Sequence, residues 1–111
     1  MDDDRVEYNY ETGWPNNVVS GVLRSISAYT RQDRVRGFKI GITNDPERRF
    51  RDGYAHAYHK MAVVYQSESL ENVSELERLL VEHNRELADN IISGGGGNYG
   101  DPPYYLYVAM R

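Results

Sequence analysis

The chain has no cysteine, which excludes disulfide staples, thiolate nucleophiles and cysteine-based zinc sites. It also lacks any apolar run approaching the roughly 20 residues of a membrane span. Its start, Met1-Asp2-Asp3-Asp4-Arg5, is the opposite of a secretory leader. A cytoplasmic protein without a membrane partner is the expectation, although a domain cut from a longer secreted chain would read the same way. Phenylalanine is scarce, two residues against ten tyrosines. Tyrosine packs its ring while keeping a hydroxyl for a polar partner, so this balance suits a thin, half-wet core or a binding surface.

Net positive charge is missing as well: the formal charge is −4. Its distribution is uneven. Between Arg24 and Lys60 stand nine basic residues against four acidic ones, so a folded molecule can turn that segment into one positive face toward an anionic ligand. A solvated surface with scattered arginines accounts for the same count. At 111 residues, 40% hydrophobic and 27% charged, the chain has room for one domain and one core.

What is present reads as an α+β domain. Residues 1–13 are expected to be extended or frayed, with Val6, Tyr8 and Tyr10 alternating so as to allow a short N-terminal edge strand. Gly13-Trp14-Pro15-Asn16-Asn17 is turn chemistry that can start a helix, and Val18, Val19, Val22, Leu23, Ile26 and Tyr29 follow at helical spacing. Gly21 weakens that helix by roughly 1 kcal/mol relative to alanine. Phe38 to Thr43 reads as a strand. Asn44-Asp45-Pro46-Glu47 then supplies a cap, a first-turn proline and an acid for a short helix ending near Gly53. Met61 to Tyr65 reads as a strand. Ser69 can cap a long helix carrying Leu70, Val73, Leu76, Leu79, Leu80 and Leu87 as its buried stripe. Ile91-Ile92 leads into the loop Ser93-Gly94-Gly95-Gly96-Gly97-Asn98, and Tyr104 to Met110 closes the chain as a strand. The expected fold is a small, mainly antiparallel three-stranded sheet flanked by helices, in a single domain over residues 1–111.

The chemistry concentrates in Lys39-Ile40-Gly41-Ile42-Thr43-Asn44-Asp45-Pro46-Glu47-Arg48-Arg49-Phe50. Gly41 lets a large group approach the strand, and Arg49, one turn into the helix, would project back over it. A guanidinium there can hold a phosphate through two nitrogens, which a lysine cannot do. Glu77 borders the leucine stripe of the long helix and needs a partner, either a divalent cation or else Arg78 or solvent. Asn90 precedes the glycine-rich loop, where its amide could hold backbone or ligand, or simply turn the chain. Tyr54, His56, Tyr58 and His59 form a cluster after the short helix that serves a site or rests on the sheet as a loop. Lys39 is equally a charged edge residue that discourages sheet pairing. The four glycines lack the lysine and Ser/Thr of a phosphate-binding P-loop.

Taken together, these pieces resemble the GIY-YIG nuclease domain from Phe38 to the C-terminus. That family's second motif, often Lys-Ile-Gly, is followed eight residues after its glycine by an essential arginine, the spacing shown by Gly41 and Arg49. Its metal-binding glutamate lies in a later helix in a Leu-Glu-x-x-Leu context, as in Leu76-Glu77-Arg78-Leu79-Leu80-Val81, and an asparagine near a glycine-rich turn matches Asn90. The family's first strand carries Gly-Ile-Tyr, whose tyrosine is thought to activate water. Here the echo is Gly21-Val22-Leu23, with leucine in place of tyrosine and inside a helical pattern, so the first strand reads as remodelled around Tyr8.

The resemblance implies a metal-dependent endonuclease acting on DNA. Glu77 would bind Mg²⁺ or Mn²⁺, and Arg49 would stabilise phosphoryl charge. Lys39, Tyr54 and Asn90 would complete the catalytic set, while Gly41, Arg48, His56 and His59 would contact substrate. A tyrosine acting as base needs neighbouring cations to lower its pKa from about 10. A nuclease-like DNA-binding module without turnover and a non-enzymatic interaction domain are the other readings.

Overall fold

The computed structural model describes residues 4–84 and 100–111. Seven elements follow in chain order: β1 (Val6–Glu11), α1 (Pro15–Thr30), β2 (Phe38–Thr43), α2 (Pro46–Gly53), β3 (Lys60–Ser67), α3 (Leu70–His83) and β4 (Tyr104–Met110). The local signals act where the sequence places them. Pro15 and Pro46 occupy the first turns of α1 and α2. Asp45 caps α2 by accepting from the Arg48 backbone N–H at 3.2 Å, and Ser69 caps α3 by accepting from Asn72 N–H at 3.2 Å. Gly21-Val22-Leu23 lies within α1, with Val22 buried in the core.

The expected three-stranded, mainly antiparallel sheet is corrected by the structure. The sheet has four strands in the order β1-β3-β4-β2 and is mixed. β1 pairs parallel with β3, while β4 runs antiparallel to both β3 and β2. The reason lies in the connections. A helix between two strands carries the chain back to the end where it began, so β1, β2 and β3 all run the same way. Only β4 reverses. The N-terminal segment is a full strand, paired from Val6 with Met61 to Glu11 with Tyr65 across one register shift.

Strand alternation divides the core into two layers. On one face Phe38, Ile40 and Ile42 of β2 and Leu106, Val108 and Met110 of β4 meet Val22 and Ile26 of α1 and Val73, Leu76 and Leu80 of α3. On the other, Val6, Met61, Val63, Tyr107 and Ala109 pack around Phe50 of α2 and Tyr54. That second layer is thin, and α2 is its only helix among the described residues. Asn44 closes the turn into α2 by donating to the Asp101 carbonyl at 3.1 Å, which ties it to the start of β4.

Phe50 is fully buried and is the main apolar anchor of α2. Phe50→Ala is expected to cost about 3–5 kcal/mol through lost burial and the cavity left behind. Urea denaturation measures this; a loss under 1 kcal/mol would mean α2 is held by its cap and termini instead.

Candidate functional site

The turn Thr43-Asn44-Asp45 determines where Arg49 lies. Thr43 Oγ1 accepts from the Asp45 N–H at 3.0 Å, Asp45 caps the helix, and one turn later Phe50 points into the sheet. Arg49 then lies beside Phe50 on the flank facing β4. Its Nε donates to the Tyr107 hydroxyl at 3.3 Å, and the guanidinium carbon stands 5.2 Å from the centre of the Tyr54 ring. The Tyr54 and Tyr107 hydroxyls are 2.8 Å apart. Both rings are buried, whereas Arg49 remains exposed. A Cβ on Gly53 would stand 3.1 Å from Arg49 Nη1, so the bare glycine leaves the guanidinium its place.

No carboxylate pairs with Arg49 among the described residues. The other arginines of this region differ: Arg48 and Arg51 each face Asp52 at 3.5 Å, and Arg78 contacts Glu75 at 2.7 Å. Arg49 is instead held by neutral hydroxyls, which fix its position without cancelling its charge. The same hydrogen bond raises its already high pKa, so it is a permanent cation.

Gly41 belongs to this arrangement for a reason the sequence only half discloses. It pairs with Tyr107 across β2 and β4, and a Cβ there would come within 2.6 Å of the tyrosine Cζ. The large group that approaches the bare strand is the protein's own ring. Tyr107 was not among the sequence candidates. The pointers to it were the Tyr-x-Tyr alternation of the last strand and an unexplained glycine, but pairing the two requires the strand order. Burial raises the Tyr107 pKa well above its ordinary value, outweighing the opposing pull of Arg49. This hydroxyl therefore stays protonated and acts as a hydrogen-bond partner rather than a proton acceptor.

The remaining candidates divide. Lys39 lies two residues from Gly41 on the same sheet face, opposite Ala109, and is half-buried. Arg48, His56 and His59 are exposed; the ring between the two histidines, Tyr58, packs edge-on against Tyr54 at 4.9 Å. Asn90, Leu87 and the glycine-rich loop lie outside the described residues. Glu77 is on α3, over the opposite face of the sheet from α2, and no hydrogen bond or ion pair joins it to Arg49, Lys39 or Tyr54.

Glu77 is 4% exposed, the one buried charged residue among those described. It does not pair with Arg78, which serves Glu75 and Glu82. Burial alone raises its pKa from 4.5 to about 7. A buried carboxyl stabilised by no described partner is one that a divalent cation would favour in its ionised form. Mg²⁺ accepts one protein carboxylate with phosphate and water completing its shell. Glu77 could supply one carboxylate to such an ion, and no group of three or more potential ligands exists among the described residues.

These features define a small mixed α/β domain whose thinner face presents an unneutralised arginine set on two tyrosines. The chain belongs to the T5orf172 domain family, which matches residues 22–95, a domain associated with homing-endonuclease and nuclease-like proteins. The match leaves out β1 and β4, so Tyr107 stands outside the family segment while Arg49 and Glu77 stand within it. No curated protein and no solved structure matches the chain.

Two measurements probe this geometry. Gly41→Ala is expected to cost about 1–3 kcal/mol by driving a methyl into the Tyr107 ring; an unchanged urea midpoint would show that the ring is free to move away. For Glu77, the folded pKa near 7 lies above the ordinary 4.5. The contribution of Glu77 to stability is therefore full below about pH 4.5, falls as pH rises toward 7, and levels off above it, a difference of roughly 3 kcal/mol. Glu77→Gln should remove that slope in thermal melts. A slope that persists in the variant would assign it to another group.

Proposed function

We propose that this domain acts on DNA by hydrolysing phosphodiester bonds, with Arg49 binding the phosphate under attack. One observation carries the reading: Arg49 is positioned by Tyr107 and Tyr54 yet carries no neutralising acid among the described residues. A cation held this way is preorganised for an oxyanion and loses no pre-existing ion pair when the anion arrives. Its terminal nitrogens are available for a two-point contact with phosphate oxygens. Lys39 adds a second positive charge on the same sheet face. The Tyr107 and Tyr54 hydroxyls hold the guanidinium in register while charge builds on the phosphoryl oxygens.

Glu77 is the residue that would hold Mg²⁺ or Mn²⁺, and such an ion would stabilise the leaving oxygen. The family assignment and the resemblance to GIY-YIG nucleases in the Gly41–Arg49 and Leu76-Glu77 segments support this division of roles. The attacking water needs a proton acceptor, and the raised pKa of Tyr107 removes that residue from the role.

A second reading has its own support. α2 and α3 cover opposite faces of the sheet, so Arg49 and Glu77 sit on different layers. A nuclease-like module that binds DNA through Arg49 without turning it over fits that separation.

Incubation of plasmid and single-stranded DNA with Mg²⁺, Mn²⁺ or EDTA distinguishes the two. Metal-dependent cleavage is expected, reduced at least a hundredfold by Arg49→Ala and by Glu77→Ala, and by a smaller factor in Tyr107→Phe, which keeps the ring but frees the guanidinium. Binding without cleavage by a folded wild type, weakened by Arg49→Ala and indifferent to Glu77→Ala, would establish the binding module instead. Metal binding has an independent readout: added Mg²⁺ should raise the melting temperature of wild type at pH 8 and leave Glu77→Gln unmoved.

A further inference from the structure

The N-terminal strand carries a surface that the Arg49 site does not use. Tyr8 and Tyr10 on β1 are 46% and 43% exposed. Both rings stand edge-on to Tyr105 of β4, at 6.4 and 6.1 Å between centres. Tyr105 is two residues from Tyr107, so the three rings share the sheet face that carries Arg49. Tyr8 faces Val63, whose other neighbour is Tyr107. The aromatic group therefore lies two residues along β4, and two strands across the sheet, from the residue that anchors the arginine.

We propose that Tyr8, Tyr10 and Tyr105 form a stacking platform for the bases of an unpaired nucleic-acid strand whose phosphate lies on Arg49. The proposal rests on the reading of Arg49 as a phosphate site and names the substrate class of that site. Its chemistry is sequence-tolerant, because every base offers a π-face to an aromatic ring. The Tyr8 hydroxyl donates to the Glu47 carboxylate at the start of α2, which limits the ring's motion. Glu7, on the alternate side of β1, is engaged with Lys60 and Tyr29.

Charge favours the same occupant. Lys39 and Arg49 place two cations on the face that the tyrosines share. A continuous strand can lay its backbone across these cations and its bases against the rings. In a duplex the base faces are already stacked on one another and cannot make the second contact.

Fluorescence anisotropy tests this with a labelled oligothymidylate and a duplex of equal length. Tyr8→Ala/Tyr10→Ala should weaken single-strand binding at least tenfold while changing duplex binding less than threefold. Tyr8→Phe/Tyr10→Phe, which keeps the rings and drops the Glu47 bond, should bind within threefold of wild type; its melting curve also controls for folding. Unchanged single-strand affinity in the alanine pair, or an equal loss on both substrates, would overturn the platform. So would wild-type self-association in sedimentation that the alanine pair abolishes, since the rings would then serve a second copy of the chain. The Arg49 reading fails separately: it falls if Arg49→Ala binds both substrates as tightly as wild type, and the platform falls with it if wild type binds neither.

Discussion

β4 hydrogen-bonds to β2 along one edge and to β3 along the other, and those two strands touch nothing else in common within the sheet. Backbone donors and acceptors buried between helices must be paired, so β2 and β3 depend on this last strand for their inner edges. Arg111 extends the pairing by exchanging backbone bonds with Gly37 at the start of β2. Alternation along β4 serves both layers at once. Tyr104, Leu106, Val108 and Met110 enter the core under α1 and α3, and Tyr107 and Ala109 enter the core under α2. The segment matched by the family ends before β4 begins, yet its strands cannot form one sheet without it.

The two layers treat charge in opposite ways. Under α2 the protein keeps a guanidinium at the surface and surrounds it with hydroxyls, so the charge stays available. On α3 it buries a carboxyl, and desolvation raises that group's pKa to about 7, so it titrates around neutral pH. The first arrangement is open to an anion from solvent. The second is responsive to protons. Placing them on opposite sides of one sheet separates their fields, so the proposed chemistry depends on how a substrate reaches from one side to the other.

Local signals were legible. Phe38–Thr43 and Tyr104–Met110 form strands over the expected residues, the Asp45 and Ser69 caps bond as their positions suggest, and the apolar stripe of α1 packs on the core, with Val18, Val22 and Ile26 buried and Val19, Leu23 and Tyr29 partly so. Each rests on interactions spanning a few residues, which the order of side chains states directly. Sheet order and strand direction were not legible, because both depend on contacts between segments tens of residues apart and on the long connection from α3 to β4. The role of Tyr107 was not legible for the same reason: its partners Gly41, Tyr54 and Arg49 lie more than fifty positions away.

The sequence by itself determined which segments become helix or strand and which faces are apolar. Those follow from backbone preference, capping and periodicity. Only the tertiary structure decided that β1 is a parallel edge strand, that β4 sits between β2 and β3, that Arg49 rests on tyrosine from the far end of the chain, and that Glu77 lies beneath the other face. The order of strands is chosen by the joint burial of two layers, and no single segment encodes it.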